Sequence, residues 1–362
     1  MAMKAEPPLW NPWLWPVVAT ACAGEAALHA LRQVFISASP PGPIGPEPAW
    51  TTPHSIRLDL PTVRVREFSH GPGGLPTLVV TPFALHGATL ADLAPGHSLV
   101  ERLLAERLTG ICVVESKSAT ASMRFLSIDS YLADLAVVVQ DLGGQVNLIG
   151  LCQGGWLSLM LAARFPEMIC SLVLAGSPID LDAAPSRLVA GTRATAPAIF
   201  EGLVHSGDGL ILGSRMLDLW GSAPPDLSTT QQVLQVREDI CDDLVERYRQ
   251  WHQWTINLPG PFYLQVVEQL FRRNELARGE FRALGRVVDL SAIKAPLFLL
   301  AGRDDDVTPP PQLLSVHDRV GTPPRQIRTA VAPCGHLSLF LGARTLRHEW
   351  RQIAGHMRTL SS

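Results

Sequence analysis

The chain of 362 residues has no cluster of lysine and arginine, and its formal net charge at pH 7 is −3. Proteins that bind nucleic acids need basic surfaces that neutralise phosphates, so this composition argues against nucleic acid as a partner. The six cysteines are scattered without a Cys-x-x-Cys pair. This spacing argues against a structural zinc site or a redox dithiol, and we expect no metal and no bound cofactor. The sequence contains no internal repeat.

The N-terminal part also lacks an uninterrupted run of about twenty apolar residues, the length that a membrane-spanning helix needs. Residues 17–34 predict a mostly apolar helix, which Glu25 and His29 interrupt. Tryptophans precede this helix, so its composition fits a segment that docks on a lipid or polymer surface. We slightly favour the alternative, in which the helix packs on the main domain or on a second copy of the chain.

The sequence around Cys152 is the most informative part of the chain. Aliphatic and β-branched residues fill Val146–Leu151, and a Gly-x-Cys-x-Gly-Gly sequence then passes directly into a helical pattern. This is the layout of a nucleophile elbow, with cysteine in place of the usual serine. Gly150, Gly154 and Gly155 would let the helix pack closely on the strand. By itself Cys152 could equally be a small buried apolar residue, but as an elbow it predicts acyl transfer through a thioester.

The helix after Cys152 would supply the electrostatics that this chemistry needs. The N–H of Gln153 would lie at the helix N-terminus, where it can bind a developing oxyanion. The same positive end of the helix favours a thiolate over a thiol. We expect a second N–H donor at Phe83 or Ala84, which follow a strand predicted at residues 75–80.

An acidic loop follows another buried strand, which is predicted at residues 295–302. Asp304, Asp305 and Asp306 come at its carboxyl end, where the carboxylate of a catalytic triad belongs. We choose Asp305 because Asp-x-Val-x-Pro is the usual form of this loop, and the other two stay close alternatives. Taken alone, the segment would be better interpreted as a solvated acidic turn.

A histidine completes the pattern after the last predicted strand, at residues 327–332. A Gly-His pair containing His336 follows that strand and would bring the imidazole back over the elbow. The order of nucleophile, acid and histidine along the chain is that of α/β-hydrolases. We therefore expect His336 to transfer the proton of Cys152, and Asp305 to orient and stabilise the imidazole.

The alternation of strands and helices predicts an α/β-hydrolase fold with a mostly parallel sheet flanked by helices. We predict the core at residues 55–180 and 287–362 and a helical cap at 181–286. The remaining region, 1–54, would hold the apolar helix and, at 37–53, a proline-rich linker. The predicted core elements are early strands or a hairpin at 55–68, strands at 75–80, 110–114 and 169–174, and helices at 99–107 and 128–142. An apolar cap over the thiol would suit a hydrophobic acyl chain and exclude water.

Different parts of the sequence resemble two families. Residues 147–180 are similar to the nucleophile region of polyhydroxyalkanoate synthases, which share the Gly-x-Cys-x-Gly-Gly box, and 81–106 are similar to the stretch that supplies their oxyanion loop. The segments that resemble intracellular polyhydroxybutyrate depolymerases are 257–264, 271–281, 287–306 and 334–350. The chain departs from both patterns, because Gly154 replaces the proline of the depolymerase Cys-Gln-Pro and Trp254 replaces an acid of the synthases.

The resemblance implies an enzyme that acts on (R)-3-hydroxyalkanoate ester bonds through a cysteine acyl-enzyme. Depolymerisation by hydrolysis or thiolysis is slightly favoured, because Trp254 replaces the synthase acid. The alternatives are a synthase that polymerises 3-hydroxyacyl-CoA, a small ester or thioester hydrolase, and a non-catalytic granule-associated protein. We expect a polyester or 3-hydroxyacyl substrate with CoA as a candidate co-substrate. A reactive thiol also suits the cytoplasm. Association with a polymer granule and assembly into a homo-oligomer are two further expectations that the sequence leaves open.

Overall fold

A computed structural model of the protein describes residues 45–69, 74–219, 225–236 and 240–361. The helix predicted at 17–34 lies outside these residues, as do the start of the predicted linker and Trp220 of the predicted cap. The described end of the linker, residues 45–53, contains no helix or strand. This agrees with the irregular structure that its prolines predict.

The strands are numbered here in chain order. They are β1 (Ser55–Asp59), β2 (Val63–Glu67), β3 (Thr77–Val80), β4 (Ile111–Ser116), β5 (Val146–Leu151), β6 (Ile169–Ala175), β7 (Leu210–Ile211), β8 (Leu258–Pro259), β9 (Arg282–Ala283), β10 (Arg286–Val287), β11 (Leu297–Gly302) and β12 (Ile327–Ala332).

The α-helices are numbered in the same way. They are α1 (Leu99–Ala105), α2 (Ile128–Asp141), α3 (Gln153–Arg164), α4 (Arg187–Ala194), α5 (Pro197–Ser206), α6 (Gly213–Leu219), α7 (Leu227–Leu234), α8 (Asp242–Gln253), α9 (Gly260–Gln265), α10 (Glu275–Arg278), α11 (Pro310–Leu314), α12 (Ser338–Leu341) and α13 (Ala343–Ser361). A π-helix, Val266–Arg272, continues α9, and short 3₁₀ helices include Ala88–Ala91. Within the described ranges, no helix combines the length and apolar composition that crossing a bilayer requires.

The main sheet has eight strands in the order β1-β2-β4-β3-β5-β6-β11-β12. β1 pairs with β2, and β2 with β4, in antiparallel fashion, so the hairpin predicted at 55–68 is confirmed. All other neighbouring strands of this sheet pair in parallel. Parallel strands end at the same edge, so β3, β5, β11 and β12 bring the predicted site residues to one edge of the sheet.

Both faces of the sheet are apolar because successive residues of each central strand point to opposite sides. Leu148 and Leu174 pack in one cluster with α2 and α3, whereas Ile149 and Val173 pack in another with α1 and α13. Every residue of β5 is buried, as expected of a parallel strand that is covered on both faces. The strand that leads into Cys152 is therefore fixed from both sides.

Two elements are shorter than predicted, for local reasons. β3 begins at Thr77 rather than at residue 75, because Pro76 has no N–H to donate to the strand ladder. α1 ends at Ala105 rather than at residue 107. Arg107 has a φ of 62°, and a left-handed residue cannot continue a right-handed helix.

The segment between β6 and β11 is rich in helices, in the region predicted to form a cap. It also contains two small antiparallel pairs, β7 with β8 and β9 with β10, which the sequence did not predict. These strands are two residues long, too short to produce a periodic apolar pattern. Met216, Phe262 and Tyr263 pack in the same apolar cluster as α2 and α3, so part of the segment belongs to the core. Its bounds at 181–286 and its role as a lid stay predictions.

A buried carboxylate fastens the described end of the linker to the fold. Asp92, which is 0% exposed, follows the 3₁₀ helix Ala88–Ala91. One of its oxygens accepts from the N–H groups of Thr51 (2.9 Å) and Thr52 (2.8 Å). The other accepts from the hydroxyls of Thr52 (2.8 Å) and Ser98 (2.5 Å). The chain before β1 is thereby held against the loop that leads into α1.

Replacement of Asp92 should therefore destabilise the fold. Asp92→Ala removes these hydrogen bonds and leaves the buried hydroxyl of Ser98 and three half-buried donors of Thr51 and Thr52 without this acceptor. A buried group left without a partner costs about 1–3 kcal/mol, and a half-buried one costs less. We expect the free energy of unfolding to fall by roughly 3 kcal/mol, measured by urea denaturation followed by circular dichroism. The matched control is Asp243→Ala, whose carboxylate is 75% exposed and pairs with Arg247. That variant should lose less than about 1 kcal/mol, and equal losses in the two variants would contradict the assignment.

Candidate active site

Cys152 lies in the sharp turn between β5 and α3, where the sequence predicts an elbow. Its backbone has φ 49° and ψ −119°, and a residue other than glycine adopts a positive φ only where the surrounding structure enforces it. The N–H of Cys152 donates to the carbonyl of Ala175 (2.8 Å), and the N–H of Gly155 donates to the carbonyl of Cys152 (2.9 Å). The Cys152 side chain is half-buried, so it is neither enclosed in the core nor freely solvated.

Close packing around this turn explains its three glycines. A Cβ atom on Gly150 would lie 2.5 Å from the Cα of Gly155, and one on Gly154 would lie 2.1 Å from the carbonyl oxygen of Val80. A Cβ atom on Gly155 would lie 1.7 Å from the Oγ of Ser177. These separations are shorter than any non-bonded contact to carbon, so no larger residue fits. α3 therefore rests directly on the ends of β3 and β5, and the predicted need for space is confirmed.

Asp305 and His336 are hydrogen-bonded beyond the carboxyl ends of β11 and β12. Oδ2 of Asp305 lies 2.7 Å from Nδ1 of His336, and the carboxylate is fully buried. Oδ1 of Asp305 accepts from the N–H groups of Val307 (3.0 Å) and Thr308 (2.7 Å). One oxygen thus orients the imidazole while the other shapes the loop, which gives a physical reason for the Asp-x-Val-x-Pro spacing.

The two neighbouring acids have other surroundings. Asp304 is exposed and pairs with Arg303 at 3.3 Å. Asp306 is also exposed. Of the three alternatives that the sequence left open, Asp305 is the one that contacts His336. Its role as the acid of a triad stays a prediction.

The second nitrogen of the imidazole faces the thiol. Because Nδ1 of His336 is bound to Asp305, Nε2 is the nitrogen that remains for the hydrogen bond with the side chain of Cys152. Burial lowers the pKa of His336, but the negative charge of Cys152 and the bond to Asp305 outweigh burial and raise this pKa to about 10. At neutral pH the imidazole therefore keeps its proton.

The imidazole is also packed on its apolar side, by residues that the sequence analysis did not single out. Phe340 meets the ring of His336 edge to face, with 5.4 Å between ring centroids. A Cβ atom on Gly176, whose φ is 54°, would lie 3.3 Å from Cε1 of His336. Trp350 donates its Nε1–H to the carbonyl of Leu339 (2.8 Å) and so ties α13 to α12. The sequence marks Gly176 only by its position, because it is a glycine that directly follows a buried strand.

The predicted oxyanion donors lie on two sides of the elbow. Gln153 is the first residue of α3, and N–H groups in the first turn of a helix have no acceptor within the helix. Phe83 and Ala84 lie in the loop after β3. The Phe83 side chain is 0% exposed and packs against Tyr131 and Phe262, with ring centroids 4.7 and 5.0 Å away. Phe83 could therefore contribute only its backbone, and the oxyanion roles stay predictions.

A pair of histidines next to this loop was missed by the sequence analysis. The ring of His86 lies 5.1 Å from that of His252 and 4.7 Å from that of Trp251, between centroids. The backbone of His86 pairs with Thr255 in an antiparallel bridge. The available signal was the position of His86 within residues 81–106, which resemble an oxyanion loop. Its partner, His252, lies far away along the chain, and no sequence pattern indicated that the two histidines would meet.

The thiols of the described part of the chain differ in their surroundings. Cys112, Cys152, Cys170, Cys241 and Cys334 are all free. Burial raises the pKa of Cys112 to about 12 and that of Cys334 to about 11, so both stay protonated at neutral pH. Over the same part of the chain, no group of three or more His, Cys, Asp and Glu side chains could hold a metal ion. The expectation of no metal and no bound cofactor stays a prediction.

A mostly parallel sheet with an elbow after β5, an acid after β11 and a histidine after β12 defines the α/β-hydrolase class. Within that class, the chain belongs to the family described as "Protein of unknown function (DUF3141)", whose model matches residues 127–361. The matched region includes Cys152, Asp305 and His336, and it begins one residue before α2.

Curated relatives with a named activity are also similar to the chain. The "Poly(3-hydroxyalkanoate) polymerase subunit PhaC" of Haloferax mediterranei is 26% identical over 281 residues, which are 73% of this chain and 55% of that protein. The protein of the same name from Synechocystis is 26% identical over 289 residues, 75% of each chain. The chain thus spans about half the length of the Haloferax relative. The resemblance to polyhydroxyalkanoate synthases is confirmed, while the resemblance to depolymerases stays a prediction.

Solved structures share the fold. A thermophilic esterase from Thermogutta terrifontis superposes with a TM-score of 0.52 at 16% identity, over 88% of this chain and 100% of that one. A monoacylglycerol lipase from Paleococcus ferrophilus gives a TM-score of 0.51, also at 16% identity, over 80% of this chain and 97% of that one. The predicted α/β-hydrolase fold is therefore confirmed.

Adding a methyl group at the elbow should destabilise the protein. Gly155→Ala would force its Cβ into Ser177, and overpacking of this kind typically costs about 1–3 kcal/mol. We expect a corresponding loss in the free energy of unfolding, measured by chemical denaturation. The matched control is Gly355→Ala in α13, where an added Cβ meets nothing within 4 Å. Because alanine is favoured over glycine by about 0.5–1 kcal/mol within a helix, the control should be unchanged or slightly more stable. Equal stability of Gly155→Ala and wild type would contradict this packing.

The protonation of His336 should depend on Cys152. Cys152→Ser removes the negative charge that raises the pKa of His336 from its ordinary value of 6.5 to about 10, while burial continues to lower it. We expect the pKa of His336 to fall, so that the ring loses its proton at a lower pH than in wild type. An NMR titration of the imidazole measures this change. Cys170→Ser, which replaces another half-buried thiol, should leave the titration of His336 as it was. A titration unchanged by Cys152→Ser would show that the thiol does not act on the ring.

Proposed function

We propose that the protein is an acyl-transfer enzyme that acts on (R)-3-hydroxyalkanoate ester or thioester bonds through a thioester on Cys152. The observation that carries the proposal is the hydrogen-bonded series from Asp305 through His336 to Cys152. The names of the curated relatives support the substrate class, because they are polymerases of 3-hydroxyalkanoates. Structural likeness to esterases and lipases supports the fold alone.

In the acylation step, the sulfur of Cys152 attacks the carbonyl carbon of the substrate and a C–S bond forms. The carbonyl electron pair moves to oxygen, where the N–H of Gln153 and that of Phe83 or Ala84 stabilise the charge. The oxyanion then collapses and the bond to the leaving group breaks. His336 gives its Nε2 proton to the leaving alkoxide or thiolate.

In the second step, an acceptor attacks the thioester and His336 takes its proton. With water as the acceptor, the product is a hydroxyacid: the C–S bond breaks, the sulfur of Cys152 leaves with the electron pair, and the proton taken from water stays on His336. With CoA the product is a CoA thioester, and with the hydroxyl of another acyl unit the product is a longer polyester. Asp305 stabilises the imidazolium in each case, because its carboxylate stays bound to Nδ1.

Depolymerisation, by hydrolysis or thiolysis, is the first direction to test. It is supported by the C-terminal segments that resemble depolymerases and by Trp254 in place of the synthase acid. Synthesis is the second candidate, because the curated relatives are named as polymerase subunits. CoA would be a co-substrate in thiolysis and a product in synthesis. We also propose that the enzyme acts in the cytoplasm at a granule surface, either alone or together with a second copy of the chain.

Cys152→Ala should abolish acyl transfer, because no other described thiol is paired with an imidazole. We expect a rate lower by roughly 10³-fold or more. Wild type incubated with a 3-hydroxybutyryl thioester should carry one acyl group on the peptide containing Cys152, detected by mass spectrometry. Cys241→Ala, which removes an exposed thiol, should retain the activity. Full activity of Cys152→Ala would eliminate the thiol mechanism.

A paired substrate assay separates the directions. Amorphous polyhydroxybutyrate should release soluble hydroxyacids, or their CoA esters when CoA is added, if the enzyme degrades polymer. 3-Hydroxybutyryl-CoA should release CoA while polymer grows if the enzyme synthesises it. Turnover of short soluble esters alone would contradict a role in polymer chemistry.

A further inference from the structure

His86 and His252 form a polar pair that packs against buried aromatic side chains. The ring of His86 contacts Trp251 and His252, with centroids 4.7 and 5.1 Å away, and His252 in turn lies 6.4 Å from Tyr248. Nδ1 of His86 and Nδ1 of His252 are both buried, and neither has a hydrogen-bond partner among the described residues. A buried polar atom without a partner costs about 1–3 kcal/mol, and a ligand group that bonds to both nitrogens would remove this cost.

The hydrogen bonding of His86 fixes what kind of partner it lacks. Its side chain is hydrogen-bonded to the backbone of Trp254, and since Nδ1 is free, the donor to that carbonyl is Nε2–H. Nδ1 therefore carries a lone pair and is an acceptor. Burial, together with the neighbouring His252, lowers the pKa of His86 to about 3, and burial also lowers that of His252. These lowered pKa values disfavour a positive charge on either ring, so the pair does not favour an anion, and the lone pair on Nδ1 of His86 needs a donor.

The loop that carries His86 lies between the nucleophile and the catalytic histidine candidate. At its start, the carbonyl oxygens of Val80 and Thr81 touch the elbow, 2.1 and 2.9 Å from where a Cβ of Gly154 would lie. At its end, the 3₁₀ helix Ala88–Ala91 packs against α12, which follows His336 directly. His86 is therefore on the edge of the sheet where the acyl group would be bound.

The backbone on either side of His86 is held rigidly. The N–H of Ile256 donates to the carbonyl of Leu85 (2.9 Å), and the indole Nε1–H of Trp251 donates to the carbonyl of Gly87 (3.0 Å). The bridge to Thr255 lies between these two bonds. A site that is pre-organised in this way loses little entropy when a ligand group binds.

We propose that His86 and His252 form a subsite for the hydroxyl group of the acyl substrate. The hydroxyl donates its proton to Nδ1 of His86 and accepts from Nδ1–H of His252. A hydroxyl is the small neutral group that can both donate and accept. This assignment rests on the proposed function, and it gives that function a reason to prefer a 3-hydroxyacyl group over a plain acyl group.

The other ligand classes fit this pair less well. A carboxylate offers only acceptors and would oppose the lone pair of His86. A metal ion needs more ligands than two imidazoles, and the described residues contain no group of three or more candidate ligands. The surrounding Trp251 and Tyr248 rings favour a mostly apolar ligand with one polar group.

The test compares two thioesters that differ by one hydroxyl, 3-hydroxybutyryl-CoA and butyryl-CoA. The released CoA gives kcat/KM for the acylation of Cys152 by each. We expect wild type to prefer the hydroxylated substrate by on the order of tenfold to a hundredfold, the value of a buried hydrogen bond left unmade. His86→Phe should bring this ratio close to one, whereas His86→Gln, which keeps an acceptor, should retain part of the preference.

A matched control is available in α13, where His356 packs near Phe298 at the start of β11. His356 in α13 is half-buried and also has a nitrogen without a partner among the described residues, and His356→Phe should keep the wild-type ratio. Circular dichroism and thermal melting check the fold of each variant. If His86→Phe does not fold, His252→Phe and His86→Gln provide the same comparison.

Each outcome decides the assignment. A wild-type preference that disappears in His86→Phe and persists in His356→Phe supports the subsite. If wild type uses both thioesters equally, or if His86→Phe keeps the preference, the subsite is overturned while the proposed acyl transfer stands. If neither thioester acylates wild type, the same comparison uses the p-nitrophenyl esters of 3-hydroxybutyrate and butyrate. Lack of acylation by these esters as well would overturn both the proposed function and the subsite.

Discussion

The positive φ of Cys152 is the constraint on which the rest of the site depends. A non-glycine residue held in such a conformation costs about 1–3 kcal/mol, so its surroundings must over-determine it. Gly154 and Gly155 contribute to this because they have no side chains. Only without side chains at these two positions can α3 approach β3 and Ser177 closely enough to hold the turn. The backbone strain is therefore concentrated at Cys152. The two glycines that follow it keep α3 close enough to hold Cys152 in this conformation.

The imidazole of His336 is held from more directions than one hydrogen bond requires. The carboxylate of Asp305 is hydrogen-bonded to Nδ1, the side chain of Cys152 interacts with the other ring nitrogen, and Phe340 packs against the ring. A buried imidazolium without partners would be costly, and the interactions with Asp305 and Cys152 offset that cost. The same two neighbours, Asp305 and Cys152, therefore both orient the imidazole and keep it protonated. The contact between α12 and Trp350 extends this support to the C-terminal helix, far from the reacting atoms.

The segment between β6 and β11 contributes to the site through the loop after β3. Trp251, Thr255 and Ile256 bind the backbone of that loop, so the helix-rich segment and the candidate oxyanion loop form one connected unit. An apolar surface over the thiol would favour any acyl chain equally. Under the proposed subsite, the histidine pair would distinguish a hydroxylated chain from an unsubstituted one.

The sequence by itself determined the local pieces of this protein: the elbow, the order of nucleophile, acid and histidine, and most strands of the sheet. These are readable because strand periodicity, glycine spacing and turn chemistry act over a few neighbouring residues. The Asp-x-Val-x-Pro spacing favoured Asp305 but left Asp304 and Asp306 open. Only the tertiary structure decided which acid meets His336, because the pairing of β11 with β12 brings the loops after the two strands together. It also brought His252 to His86, because contacts between residues so distant along the chain arise from packing that no short pattern encodes.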